Sequence, residues 1–315
     1  MDVLVLHDLP VAEEIRRRRP DLEVVAAGDG ADARDRLPDA DAFVTNTHFW
    51  DDAVLDGLDR GDWVQTTSAG YAAFPVEAFQ ERGVAFSTAA GVTAATVSEH
   101  AFALALSFSR RLPTYASRQH EHVWNRSDST MLSDWTGDVL TVVGLGNIGE
   151  GVARRGLAFD MTVRGVKRDP ADYDGCLDAD AVFAAPELRS LLPKTDLLVL
   201  AVPLTEETRG LIDASALDAL PDSAVIINVS RGPVVDEDAL IDALEADRIG
   251  GAGLDVFEEE PLSPGSPLWD HEDVVLTPHV AGRSDAFVPR FVDLFLSNLD
   301  RRAEGEPLEN QLAGS

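Results

Sequence analysis

Six residues in the middle of the chain, Gly144-Leu145-Gly146-Asn147-Ile148-Gly149, have the spacing GxGxxG. An apolar stretch, Val139–Val143, runs into them, and a helix-compatible stretch, 147–157, runs out. In that setting the pattern reads as a dinucleotide site. Gly144 permits the tight turn, Gly146 lets a pyrophosphate approach the backbone, and Gly149 lets the helix lie close on the strand. The anion then sits at the positive end of the helix. The following strand bears on which nicotinamide cofactor is bound. An acid at its end, about 20 residues on, would hold a ribose 2′-hydroxyl. Here the residues are Arg164-Gly165-Val166-Lys167-Arg168-Asp169, with the strand expected to end at Lys167. Asp169 then falls in the loop before Pro170, and Lys167 and Arg168 at the tip suit a 2′-phosphate. This favours NADP(H) as the cofactor and leaves NAD(H) possible.

Three later segments each put polar residues just beyond an apolar run. They are 228–237 (NVSRGPVVDE), 254–262 (LDVFEEEPL) and 277–282 (TPHVAG). In an open α/β sheet that edge is where ligands bind. Stepping along the chain, short apolar runs at 3–6, 22–26, Ala42–Thr45, 63–67 and 84–87 alternate with charged, helix-compatible stretches. That alternation predicts a parallel sheet in a first α/β lobe. A helix is expected over 94–112 and a polar, irregular segment over 119–134. A second series has strands at Val139–Val143, 161–166, 197–202, 224–229, 251–255 and 274–277. A final helix over 284–302 is expected to return to the first lobe.

Composition narrows the partners. The 315 residues carry 26 basic against 56 acidic side chains, a formal charge of −30. Such a charge repels a nucleic-acid backbone and an anionic membrane surface, so neither is an expected partner. Only Lys167 and Lys194 are lysines; the other 24 basic residues are arginines, and 36 Asp outnumber 20 Glu. A surface rich in short carboxylates and poor in lysine reads as adaptation to high salt, where the self-repulsion is screened. Cys176 stands alone, which excludes an intramolecular disulfide and a cysteine metal cluster. No metal is expected. No apolar run is long enough for a membrane helix and no leader is readable, so a cytoplasmic location is the default expectation.

The ordered set SAGY (68–71), SEHAFALAL (98–106), GLGNIG (144–149), VPLTEETRGLI (202–212), NVSRGPVVDE, GLDVFEEEPL and TPHVAG resembles the D-isomer-specific 2-hydroxyacid dehydrogenase family over nearly the whole chain. The resemblance implies two Rossmann-like parallel-sheet lobes of α/β class. The cofactor lobe, 98–285, would be inserted into a discontinuous, flavodoxin-like substrate lobe, 1–97 and 286–315. It also implies a homodimer. The family's catalytic arginine, glutamate and histidine fall on Arg231, Glu260 and His279. Glu258 and Glu259 are read as surface acids, because Glu260 is the one that precedes Pro261-Leu262.

These residue types suit a 2-oxo acid. Arg231 offers a two-pronged donor to the carboxylate and carbonyl. His279 as imidazolium can protonate the carbonyl oxygen, and in reverse acts as the base. Glu260 would favour the charged form of His279 and fix its orientation. Backbone amides at Ala69 and Gly70, within Ser68–Tyr71, would hold the carboxylate as a small nest. Tyr71 and Asn46 are further substrate contacts. The remaining cofactor contacts implied are Val202 and Pro203 on the adenosine side and Thr208 near a phosphate or ribose. Val229 and Asp255 would lie at the nicotinamide end. Ala281 and Gly282 follow His279 on its loop, and Thr96 begins the helix over 94–112. The activity implied is reduction of 2-oxo acids to D-2-hydroxy acids. Close alternatives are a glyoxylate/hydroxypyruvate reductase and a short phosphoglycerate dehydrogenase. From another class, a dinucleotide-sensing corepressor would keep the fold without needing turnover.

Overall fold

A computed structural model describes residues 1–126 and 132–314. Part of the 119–134 segment therefore lies outside the described residues. The chain divides into two compact units, Met1–Thr93 with Ser284–Ser315, and Ala94–Arg283. The units meet at 93/94 and 283/284, a few residues from the 97/98 and 285/286 expected from the sequence. The helix that begins at Ala94 is continuous, so a cut at 97 would have split its first turn.

The first unit contains β1 (Asp2–Val5), α1 (Val11–Arg18), β2 (Glu23–Ala26), α2 (Gly30–Arg36), β3 (Ala42–Thr45), β4 (Trp63–Thr66), α3 (Val76–Arg82) and β5 (Ala85–Ser87). The second has α4 (Ala94–Ser109), α5 (Leu112–His120), β6 (Val139–Val143), α6 (Asn147–Ala158), β7 (Thr162–Lys167) and β8 (Val182–Ala184). It continues through α7 (Leu188–Leu191), β9 (Leu197–Leu200), α8 (Ala214–Leu217), β10 (Val225–Asn228), α9 (Glu237–Glu245), β11 (Gly251–Leu254) and β12 (Val274–Leu276). The chain then returns to the first unit with α10 (Phe287–Glu304) and β13 (Gln311–Ala313).

The first sheet has the order β13-β5-β4-β3-β1-β2 and is parallel except for β13. Its strand order reverses between β1 and β3, the doubly-wound, flavodoxin-like arrangement. The returning helix is tied to this sheet by its apolar stripe. Phe291, Phe295 and Leu299 are buried at i, i+4 and i+8, and the Phe295 ring stacks on Trp63 of β4 at 5.0 Å between centroids. Each buried phenylalanine contributes roughly 2 kcal/mol. A buried polar pair locks the register, with the Asn298 amide donating to Gln65 Oε1 at 3.2 Å.

The second sheet is wholly parallel, with the order β12-β11-β10-β9-β6-β7-β8. Its central strands are nearly all apolar because helices cover both faces; all four residues of β9, Leu197–Leu200, are buried. The order reverses between β6 and β9, which puts the switch point directly after Val143.

The sequence reading missed β8 and β13, each three residues long. Runs that short carry no periodic signal, and neighbouring strands decide them. The helix expected over 94–112 ends at Ser109. Arg111 takes a left-handed φ of 49°, and Pro113 in the first turn of α5 starts a new helix.

Candidate active site

The turn after β6 has the form its glycines demand. Gly144 has φ 97°, and a Cβ there would strike the Ala201 carbonyl. A Cβ on Gly149 would overlap the Gly144 carbonyl, so this glycine is what lets α6 start directly against the turn. Gly146, the residue before α6, has nothing within 4 Å of a built Cβ and no side-chain cap. The first amides of α6, from Asn147 onward, therefore face open space with the helix dipole behind them. That cradle fits a pyrophosphate.

β7 ends at Lys167, as the sequence predicted. Asp169 caps the short turn Pro170–Asp172, its carboxylate accepting from the Ala171 amide at 3.2 Å. Lys167 and Arg168 make no ion pair among the described residues; Arg168 contributes to holding the exposed Glu207 carboxyl below its usual range, after hydrogen bonds from Thr205 and the Glu207 backbone. Past β9, Val202 is half-buried and Pro203 is exposed. The Thr208 hydroxyl donates to the Pro203 carbonyl at 2.7 Å and accepts from the Thr205 amide at 2.7 Å, so it closes the 203–208 turn. Val229 and Ala281 are buried in the core of this unit, Gly282 is half-buried, and Thr96 lies in the first turn of α4.

Arg231 follows β10 by three residues, the exposed residue of an otherwise buried turn (Val229, Ser230 and Gly232) shaped by Asn228. The Asn228 amide donates to the Arg231 carbonyl, and its oxygen accepts from the Ser230 amide and hydroxyl. The guanidinium makes one bond, to the Ser230 carbonyl at 2.6 Å, and no ion pair among the described residues. Next to it, Gly232 is pressed against the Phe257–Glu258 backbone so closely that any Cβ would overlap it. The Arg231 loop and the Glu260 segment thus touch through a residue that must be glycine.

Glu260 and His279 lie 19 residues apart and meet at 2.7 Å, Glu260 Oε2 to His279 Nδ1. The other carboxylate oxygen accepts from the Phe257 amide at 3.1 Å. A carboxylate can only accept, so Nδ1 carries hydrogen and Nε2 is left to the open side of a half-exposed ring. His279 itself has φ 52°, a left-handed conformation uncommon outside glycine, and it is held there by backbone bonds to Asp255 and Thr277. The Asp255 side chain is 2% exposed and accepts three donors of the same loop: Thr277 Oγ1 at 2.6 Å, the Val280 amide at 2.9 Å and the Ala281 amide at 2.9 Å. Thr277 was not singled out from the sequence, although its place between a strand and His279 was a signal.

In the first unit, the Asn46 side-chain oxygen accepts from the His48 and Phe49 amides, bending the chain after β3. Ser68, Ala69, Gly70 and Tyr71 follow β4. Ala69 and Gly70 are exposed residues, and their amides donate to no protein group among the described residues. Tyr71 is 48% exposed. The sequence reading overlooked His7, one residue past Leu6 at this sheet's switch point. Its side chain is 4% exposed, with Nε2 2.9 Å from Thr67 Oγ1 and 3.3 Å from the Asn46 amide nitrogen. Burial pushes its pKa below the ordinary value and outweighs the exposed Asp8 carboxylate beside it.

An inserted parallel unit with a bare glycine turn at its switch point defines a dinucleotide-binding α/β protein. Residues 102–281 match the model of the D-isomer specific 2-hydroxyacid dehydrogenase NAD-binding domain. The chain is 35% identical over 279 residues to a glyoxylate reductase of Korarchaeum cryptofilum, covering 86% of this chain and 82% of that one. It is 37% identical over 253 residues to glyoxylate/hydroxypyruvate reductase B of Yersinia pestis, covering 78% and 75%. Among solved structures, a D-isomer specific 2-hydroxyacid dehydrogenase from Xanthobacter autotrophicus, in complex with NADPH and MES, superposes with TM-score 0.78 at 29% identity over 98% and 97% of the two chains. The chain belongs to the D-isomer specific 2-hydroxyacid dehydrogenase family and is an oxidoreductase with an NAD(P)-binding domain.

Proposed function

We propose that the protein reduces small 2-oxo acids to D-2-hydroxy acids with NADP(H), glyoxylate and hydroxypyruvate being the first substrates to try. The observation that carries this reading is the Glu260–His279 pair, on the same unit as Arg231, with neither His279 Nε2 nor the Arg231 guanidinium held by a charged partner among the described residues. A bound nicotinamide would supply or accept the hydride. Arg231 binds the carboxylate and polarises the carbonyl. His279 delivers a proton from Nε2 to the carbonyl oxygen, and Glu260 holds the ring and balances its charge. Ala69 and Gly70 are proposed to donate their amides to the carboxylate, with Ser68, Tyr71 and Asn46 nearby. Gly144–Gly149, Val202, Pro203, Thr208, Val229, Asp255, Ala281, Gly282 and Thr96 are the proposed cofactor contacts.

Lys167 and Arg168 support a 2′-phosphate, and the commitment of Asp169 to a cap supports it further. NADPH in the Xanthobacter relative agrees with this preference. Relatives named for glyoxylate and hydroxypyruvate favour a short substrate. A homodimer is proposed on the resemblance and on the exposed apolar side chains Leu112, Val123 and Trp124, the last 91% exposed. The charge supports a saline cytoplasm as the setting, and among the described residues no helix is long and apolar enough to cross a membrane. The test is a panel of 2-oxo acids with NADPH and NADH, at low and at molar salt. Absence of NAD(P)H oxidation with every acid at both salts would defeat the reading and favour a binding protein.

A further inference from the structure

The loop that carries His279 hangs on one buried carboxylate, and that carboxylate is reached from α4. Thr277 Oγ1 lies 2.6 Å from Asp255 Oδ1 and 2.9 Å from His100 Nε2. A hydroxyl has one hydrogen, and a carboxylate can only accept it. The Thr277 proton is therefore committed to Asp255, and the imidazole must donate from Nε2 into the remaining lone pair. A hydroxyl that accepts a bond becomes a stronger donor, so His100 reinforces the Thr277–Asp255 bond. His100 Nε2 is also 3.6 Å from Asp255 Oδ1, where its N–H dipole faces a charge that is 2% exposed. From that point Asp255 holds the Val280 and Ala281 amides on either side of its carboxylate.

We propose that His100 is a positioning residue for the reductase reaction, acting through Thr277 and Asp255 to hold the left-handed backbone at His279. The proposal rests on the function set out above but addresses a different contact. His100 sits on another element from the acid/base pair, and its ring nitrogen is spent on Thr277 rather than on Glu260. Its role is to keep the 277–281 segment in the one conformation that brings Nδ1 to Glu260. Displacement of a reacting group by about 1 Å costs on the order of 10²-fold in rate, so a looser loop would be read in kcat.

The test compares His100→Ala with His100→Gln in the full chain with NADPH bound. Glutamine places an N–H donor near the position of Nε2; alanine does not. Hydrogen exchange of the 277–283 peptide should quicken about tenfold in the alanine variant, the effect of losing one hydrogen bond's support. Its kcat should fall by roughly 10- to 100-fold, and glutamine should restore both readouts. Unchanged exchange or unchanged kcat in the alanine variant overturns the proposal. So does a glutamine variant as impaired as alanine while circular dichroism shows both folded. If exchange responds as expected but the wild type reduces no 2-oxo acid, the positioning contact stands and the assigned reaction falls.

Discussion

His279 Nδ1 and Glu260 Oε2 are 2.7 Å apart, a contact that orients the His279 ring. It fixes which ring nitrogen is free, and it ties a strand-end loop to an acidic segment 19 residues earlier in the chain. The neighbours of the pair are set by geometry rather than charge: Gly232 beside Arg231 lets the loops close, and the Phe257 amide steadies the carboxylate.

Replacing His279 with alanine removes the proposed proton donor without touching the glycine turn. Turnover should drop by about 10²–10⁴-fold while NADPH binding, followed by fluorescence titration, is largely kept. Glu260→Gln keeps an acceptor for Nδ1 but removes the charge and should lose less. Equal kcat in His279→Ala and wild type would refute the acid/base role.

Cofactor choice is expected to follow Lys167 and Arg168. With Lys167→Asp and Arg168→Ala together, the ratio of kcat/KM for NADPH over NADH should fall by about tenfold or more, as expected when charge-assisted bonds to a phosphate are lost. The wild-type preference should weaken as salt rises. A ratio that does not move places the 2′-phosphate elsewhere.

Gly232→Ala tests the packing of the two loops. Its methyl group would meet the Phe257 carbonyl, and the backbone cannot give way cheaply. The expected cost is about 1–3 kcal/mol, with kcat reduced far more than cofactor affinity because the displaced loops carry Arg231 and Glu260. Wild-type kcat and melting temperature in this variant would show that the loops do not need their close approach.

In the first unit, His7 should make stability pH-dependent. The fold holds the ring neutral, while the unfolded chain takes up its proton near the ordinary value of 6.5. Stability is therefore complete above that value and declines as pH falls through it toward the lowered folded value. Urea midpoints measured between about pH 8 and pH 5 should show that decline in the wild type and a shallower one in His7→Gln. Parallel curves would contradict the burial argument.

Salt provides a separate check. The formal charge of −30 makes the folded chain repel itself when ions are scarce. The melting temperature should fall on dialysis from molar to millimolar salt and recover on return. An unchanged melting temperature would remove the support for a saline setting.

Much of the fold was legible because its signals are local. An apolar run with a turn behind it reads as a buried strand wherever it sits, and Val139–Val143 and Ala42–Thr45 begin and end where the sequence placed them. The glycine turn was equally plain, since its spacing answers a backbone requirement. Less legible were β13, which is a strand only because β5 offers it an antiparallel edge, and α5, which begins where the expected helix was to end, just past the left-handed Arg111.

The residue types of the site, and their places just past strand ends, were therefore determined by the sequence itself. What only the tertiary structure decided is which of them meet. Gly232 lies against the Phe257 backbone, His100 reaches Thr277, and Asp255 is buried under the loop it supports. Those outcomes depend on strand order, register and the close approach of separate loops. Such contacts join residues tens of positions apart, beyond the reach of local periodicity or propensity.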